Sequence, residues 1–206
     1  MSSELKKKFK TILAHEQTQA NAVALKATQS KPLSVWEVLI PVVFILAYMK
    51  SKERRQLFAQ NLLFTKKAAL EAARDMMIQS QTKGAALMHI ELQTKQLLDS
   101  VPAGMYSDAI RREQLREIEF LIDHYLKLLR ADGQDYCALV LSAYPQRKDY
   151  LDFQQALSAL EELVSQAARR TLGEQTDTAM LGRIESATEE LRSAEIQKIF
   201  DSSPRG

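Results

Sequence analysis

The chain has 206 residues, 46% of them apolar, 26% charged and 7% aromatic, with 6 Gly, 5 Pro and 1 Cys, which excludes a disordered, collagen-like or disulfide-stapled chain. So few turn-forming residues leave little room for the corners of a β-sandwich or barrel and suit long helices with few loops, so the expected fold is all-α, a bundle of long amphipathic helices. The net charge of +2 conceals a partition: residues 1–83 carry 14 Lys and Arg against 6 Asp and Glu, whereas residues 84–206 carry 14 against 20.

Residues 4 to about 29 predict an amphipathic helix, because Leu5, Phe9, Ile12, Leu13, Ala20, Val23, Ala24 and Ala27 recur at steps of three and four. Lys6, Lys7, Lys8 and Lys10 crowd its first turns. Ser30-Lys31-Pro32 interrupts it, since the residue before a proline is pushed away from helical geometry. The expected divisions are a basic helix over 1–31, a hydrophobic segment over 32–50, a long basic helix with the helix after it over 51–100, a helical domain over 105–201 and a tail over 202–206.

The hydrophobic segment is the most informative part of the sequence. Between Leu33 and Met49 only Ser34 and Glu37 are strongly non-apolar, and none of the residues from Val38 to Met49 is charged. Seventeen helical residues reach ~25 Å, short of a ~30 Å hydrocarbon core. Pro41 removes a backbone hydrogen bond near the middle, so a bent wedge suits the segment as well as a straight span. Trp36 and Tyr48 stand near its ends, as interfacial aromatics do, and Lys50, Lys52, Arg54 and Arg55 follow at once. On this reading Leu33, Trp36, Leu39, Ile40, Val43, Phe44 and Tyr48 contact the membrane, and Lys6, Lys7, Lys10, Lys50, Lys52, Arg54 and Arg55 contact anionic lipid. The alternative is a helix buried in a soluble bundle or against a second protomer, which is also apolar all round.

A long helix is expected from Lys50 to about Gln81, with a small alanine face at Ala68, Ala69, Ala72 and Ala73 and a break at Lys83-Gly84. Another covers 85–99. Asp99 to Gly104 reads as a loop. Residues 107–131 place Ile110, Leu115, Ile118, Leu121, Ile122, Tyr125, Leu128 and Leu129 on one stripe, ended by Asp132-Gly133. The short apolar run Tyr136 to Ala143 ends at Tyr144-Pro145. Leu151, Gln154, Leu157, Leu160, Leu163, Val164 and Ala167 mark a further helix, and Leu181, Ile184, Leu191 and Ile199 the last. A single glycine between these two predicts an antiparallel hairpin.

The sequence points to no catalytic, cofactor-binding or metal-binding residue, and the expectation is a protein that is not an enzyme. Cys137 lies in an apolar run with no readable histidine partner, as a small core residue does. His89 and His124 lack metal-ligand spacing, and the Glu-x-x-His signature of a di-iron bundle is absent. Both read as surface or interhelical hydrogen-bonding residues. Glu161-Glu162 and Glu189-Glu190 read as solvated faces. There is no phosphate loop, nucleophile elbow or zinc-protease motif. Nucleic acid is not expected, because no recognition motif accompanies the basic residues and they bracket the apolar run.

The stretch from Pro32 to Ile45, with Trp36, Pro41 and Phe44, followed by Phe58-Ala59-Gln60-Asn61 and Lys66-Lys67-Ala68-Ala69-Leu70, resembles an uncharacterised family of bacterial helical proteins of about this length. The resemblance covers roughly the first third of the chain. It implies a bacterial origin and a proline-containing hydrophobic segment as a fixed feature, and it carries no activity, cofactor or partner.

The expected function is therefore a membrane-associated, non-enzymatic scaffold or interaction module at a bacterial inner membrane. Its helical domain would be cytoplasmic, with lipid as one partner and another protein or a second copy as a further one. No small-molecule substrate is identified. Six basic residues stand on each side of the segment, Lys6, Lys7, Lys8, Lys10, Lys26 and Lys31 before it and Lys50, Lys52, Arg54, Arg55, Lys66 and Lys67 after it. That balance suits monotopic insertion with both ends on one side. The alternative is a cytoplasmic helical adaptor that buries residues 33–49.

Overall fold

The computed structural model describes residues 2–28, 51–100, 106–172 and 178–201. Seven helices and no strand occur among them: α1 (Ser3–Thr28), α2 (Ser51–Gln79), α3 (Lys83–Ser100), α4 (Asp108–Arg130), α5 (Tyr136–Ala143), α6 (Arg147–Leu172) and α7 (Thr178–Asp201). The all-α bundle expected from composition is the observed fold. The hydrophobic segment, with Leu33, Trp36, Leu39, Ile40, Val43, Phe44, Tyr48 and Lys50, lies outside the described residues, as do the side chains of Lys52, Arg54 and Arg55. Among the described residues, no helix is long and apolar enough to cross a membrane.

α4 forms the hub and packs against α1, α2, α3, α5 and α6. Its stripe buries Ile118, Leu121, Ile122, Tyr125, Leu128 and Leu129, which meet Ile12 of α1, Leu70 and Ala73 of α2, Leu139 and Val140 of α5, Tyr150 and Leu157 of α6, and Ile196 and Ile199 of α7. Helices on both sides of the hydrophobic segment thus share one core. Ser107 caps α4, accepting from the Ile110 amide at 3.3 Å, and its Oγ lies 2.6 Å from Thr171 Oγ1, which fastens the start of α4 to the end of α6.

α1 and α2 run antiparallel, for their contacts step down one helix as they step up the other. The Arg74 guanidinium lies 4.8 Å from the Phe9 ring centre, Lys66 meets Glu16, and Ala20, Ala24 and Ala27 pack on Phe58, Ala59 and Leu63. The small alanine methyls of α1 leave room for Phe58 and Leu63 of α2 between the two helices. α6 and α7 form the expected antiparallel hairpin, tied by Arg192 to Glu161 at 2.8 Å and by Arg169 to Glu185 at 2.6 Å.

Several local features differ from the sequence reading. The α2–α3 break falls at Ser80, not at Gly84: Ser80 takes φ 52°, and Thr82 opens α3 by accepting from the Ala85 amide at 3.3 Å. Gly84 sits in the first turn of α3 with open space where a Cβ would project. α4 ends at Arg130 with Ala131 extended as its C-cap, so Gly133 has another purpose. A Cβ there would stand 2.7 Å from the Leu139 amide nitrogen and 2.8 Å from the Ala138 carbonyl carbon, so only glycine lets the loop cross the backbone of α5. The run Tyr136 to Ala143 is a helix, capped by Asp135, which accepts from the Ala138 amide at 2.9 Å. Leu163, expected on the apolar stripe of α6, is exposed.

Candidate functional site

The stripes that α1, α4 and α6 turn inward are not purely apolar. Glu16 precedes Ala20 by one turn, Gln114 and Glu117 precede Leu121 and His124 on α4, and Gln154 and Glu161 flank Leu157 on α6. Together with α2 and α7 these positions surround a cavity of about 420 Å³. Val23, Phe58, Leu62, Ile184 and Leu191 form its apolar wall, and the carboxylates of Glu16, Glu117, Glu161 and Glu195 are among its polar lining.

Each carboxylate has a different environment. Glu16 accepts 3.0 Å from Lys66 Nζ on one oxygen and 2.9 Å from the Tyr125 hydroxyl on the other. Burial pushes its carboxyl up, but the Lys66 charge, the His15 ring and the Lys66 hydrogen bond outweigh burial and hold it below its ordinary range. Burial likewise opposes the Lys66 ammonium, and the charges of Glu16 and Glu161 more than restore it. Glu195 accepts from His15 Nε2 and Gln19 Nε2, both at 2.8 Å, and from the Tyr150 hydroxyl at 2.7 Å. These partners, led by the His15 hydrogen bond, overcome burial and lower its carboxyl. The His15 ring stacks on Tyr136 with centres 3.4 Å apart. Arg192 reaches both oxygens of Glu161, at 3.0 and 2.8 Å.

Glu117 is the exception. It is 5% exposed, and it accepts from the Thr65 hydroxyl at 2.7 Å. Burial first, then repulsion from Glu161, drive its carboxyl up to about 7, against the Thr65 hydrogen bond and the charges of Lys66 and Arg192. Its carboxyl therefore gains or loses its proton near neutral pH, unlike those of Glu16 and Glu195. On α6, Gln154 is 8% exposed and lines the same cavity; its side chain hydrogen-bonds Tyr150, and its buried Oε1 accepts no hydrogen bond.

His124 is buried at the same wall, stacked on Phe153 with centres 4.0 Å apart and bonded through Nδ1 to the Tyr144 hydroxyl at 2.8 Å. Burial pushes its pKa down to about 3, so it is a neutral interhelical hydrogen-bonding residue. Cys137 is partly buried and packs on the core, and burial raises its thiol, the reverse of an activated nucleophile. Among the described residues, no group of three or more His, Cys, Asp or Glu side chains is placed to hold a metal ion.

Of the basic residues expected at lipid, Lys6, Lys7 and Lys10 are exposed on the first turns of α1, with the Lys7 ammonium bonded to Gln134 Oε1. Lys52, Arg54 and Arg55 belong to the opening of α2, beside the other end of α1. The two groups are therefore separated by ~27 Å of helix. Lys8 is buried against Glu4 at 2.8 Å, and Lys66 pairs with Glu16 at 3.0 Å. Glu161, expected on a solvated face, turns into the cavity and pairs with Arg192. Sequence reasoning passed over Glu16, Glu117 and Glu195. The available signal was spacing, because each polar residue occupies an i, i+3 or i, i+4 position of an inward stripe.

No family model, curated protein or solved structure matches the chain.

Proposed function

We propose that the protein is a membrane-associated, non-enzymatic helical module whose hydrophobic segment, residues 33–49, enters and leaves the same leaflet. One observation carries the reading. Ala24 and Ala27 near the end of α1 pack on Phe58 and Ala59 near the start of α2, so Thr28 and Ser51 arrive at the same end of the bundle. A single crossing would set those two residues on opposite sides of a ~30 Å core and would pull the α1–α2 pair apart. An out-and-back path with Pro41 near its midpoint keeps the pair intact, and at ~1.5 Å per helical residue it reaches about half the bilayer.

Lys50, Lys52, Arg54 and Arg55 follow the segment at this end and meet anionic headgroups there. Lys6, Lys7 and Lys10 reach the same surface only if α1 lies along it. The location that accompanies this reading is the cytoplasmic face of a bacterial inner membrane.

Flotation of the full chain with vesicles tests the proposal. The protein should float with phosphatidylglycerol-containing vesicles, resist a carbonate wash, and lose flotation in a Val43→Asp, Phe44→Asp double variant. Recovery of the unaltered chain in the bottom fraction, without detergent, would establish the rival adaptor that buries residues 33–49. Release by salt alone would leave only a peripheral electrostatic attachment.

A further inference from the structure

The interior cavity is built unlike a structural core. Of the carboxylates that line it, Glu16 and Glu161 have a cationic partner in Lys66 and Arg192. Glu195 is satisfied by His15, Gln19 and Tyr150. Glu117 receives a single hydroxyl, from Thr65. Three further glutamates line the cavity: Glu162 and Glu185, which share the one Arg169 guanidinium, and Glu189. Acceptors and negative charge are in excess, and a buried acceptor left without a donor is destabilising. Gln154 Oε1 is such an acceptor: its side chain is more than nine-tenths buried, on the same helix face as Glu161 and in the cavity wall.

The deficit defines the ligand. A donor with positive charge satisfies Glu117 and Gln154 together, whereas an anion or a neutral acceptor worsens both. The apolar wall of Val23, Phe58, Leu62 and Ile184 asks for methylene groups between or beside the charges. A hard metal ion would need several oxygens converging on one point, which the described residues do not provide. A volume of about 420 Å³ falls within the usual range for small-molecule sites, ~300–1,000 Å³.

We propose that this cavity binds a short aliphatic amine of the diamine or polyamine class, with its ammonium groups on Glu117, Glu161 and Gln154 Oε1 and its methylene chain along the Phe58 and Leu62 wall. The site goes beyond membrane association and does not depend on it. Binding converts Glu117 from the protonated to the ionised form, so one proton leaves as the cation enters. The charged groups around Glu117 are Lys66 of α2, Glu161 of α6 and Arg192 of α7, with Glu16 of α1 behind Lys66. They remain in place in both states.

Calorimetric titration of the full chain with spermidine, putrescine and butylamine, in buffers of matched ionic strength, tests the proposal. Spermidine should bind with a 1:1 stoichiometry and raise the thermal midpoint, and glutarate should do neither. Affinity should rise about tenfold from pH 6 to pH 8, with proton release at pH 6 visible as a dependence of the heat on buffer ionisation. Glu117→Gln should keep the fold and abolish that pH dependence. Gln154→Leu removes the unpaired acceptor together with the side-chain hydrogen bond to Tyr150, so it should change the thermal midpoint of the free protein little while weakening spermidine at least fivefold. A purely structural glutamine would not weaken spermidine. The proposal is overturned if no amine produces more heat or stabilisation than matched salt, if glutarate binds instead, or if both variants bind spermidine as tightly as the unaltered chain.

Discussion

The Tyr125 hydroxyl and Lys66 Nζ approach the two oxygens of one buried carboxylate, Glu16, at 2.9 and 3.0 Å, and so join α4 and α2 through a side chain of α1. Removing one member of a buried pair leaves the other charge without compensation, which costs about 3–5 kcal/mol. Lys66→Met should therefore lower the denaturation free energy by roughly that amount. Adding Glu16→Gln to Lys66→Met should recover most of the loss, because the two groups couple through direct contact. Urea titrations of the single and double variants check both outcomes.

Two buried groups have opposite proton linkages. Glu117 rises from its ordinary 4.5 to about 7, so between these values the fold holds a proton that the unfolded chain has lost, and stability falls as pH rises through the window. His124 drops from 6.5 to about 3. There the unfolded chain holds the proton, and stability falls as pH descends from 6.5. Between pH 4.5 and 6.5 the two slopes cancel, and the unaltered chain should show a plateau. Glu117→Gln should expose the histidine slope, a loss of about 1.4 kcal/mol per unit as pH descends from 6.5. His124→Phe should expose the reverse slope. Below the plateau, protonation of Glu16 and Glu195, both held low in the fold, should destabilise every form. Denaturation series at half-unit pH intervals separate the three contributions.

Gly133 carries a prediction of its own. The atoms a Cβ would meet, within 3 Å, include the Leu139 amide nitrogen and the Ala138 carbonyl carbon of α5, and backbone cannot rotate aside as a side chain can. Gly133→Ala should cost about 1–3 kcal/mol, as overpacking does. Gly84→Ala, with nothing near its Cβ, should be neutral or stabilising by up to about 1 kcal/mol. Thermal melts of the two variants should move in opposite directions or differ by several degrees.

Helices, their approximate ends and the α6–α7 hairpin were legible because the 3.6-residue period and sparse Gly and Pro carry that information directly. The cavity was not, because Glu16, Glu117 and Glu195 differ from solvated glutamates only in which stripe they occupy. Glu161 shows the difficulty. Its neighbour Glu162 pairs with Arg169, and one residue of helical rotation turns Glu161 toward Arg192. The Ser80 turn was equally hidden, since a non-glycine residue with positive φ gives no compositional signal. Asp132-Gly133 has the composition of a helix stop, whereas Gly133 serves a close crossing over α5, which depends on tertiary placement alone.

Insertion of residues 33–49 into one leaflet with the bundle intact has a built-in reporter, because Trp36 is the chain's single tryptophan. Emission should be recorded as phosphatidylglycerol vesicles are added, with bromine-labelled acyl chains at shallow and deep positions in parallel samples. The account predicts a blue shift and stronger quenching from the shallow label, with the helical circular dichroism unchanged. An emission spectrum that stays the same at saturating lipid, with no quenching from either depth, would contradict it.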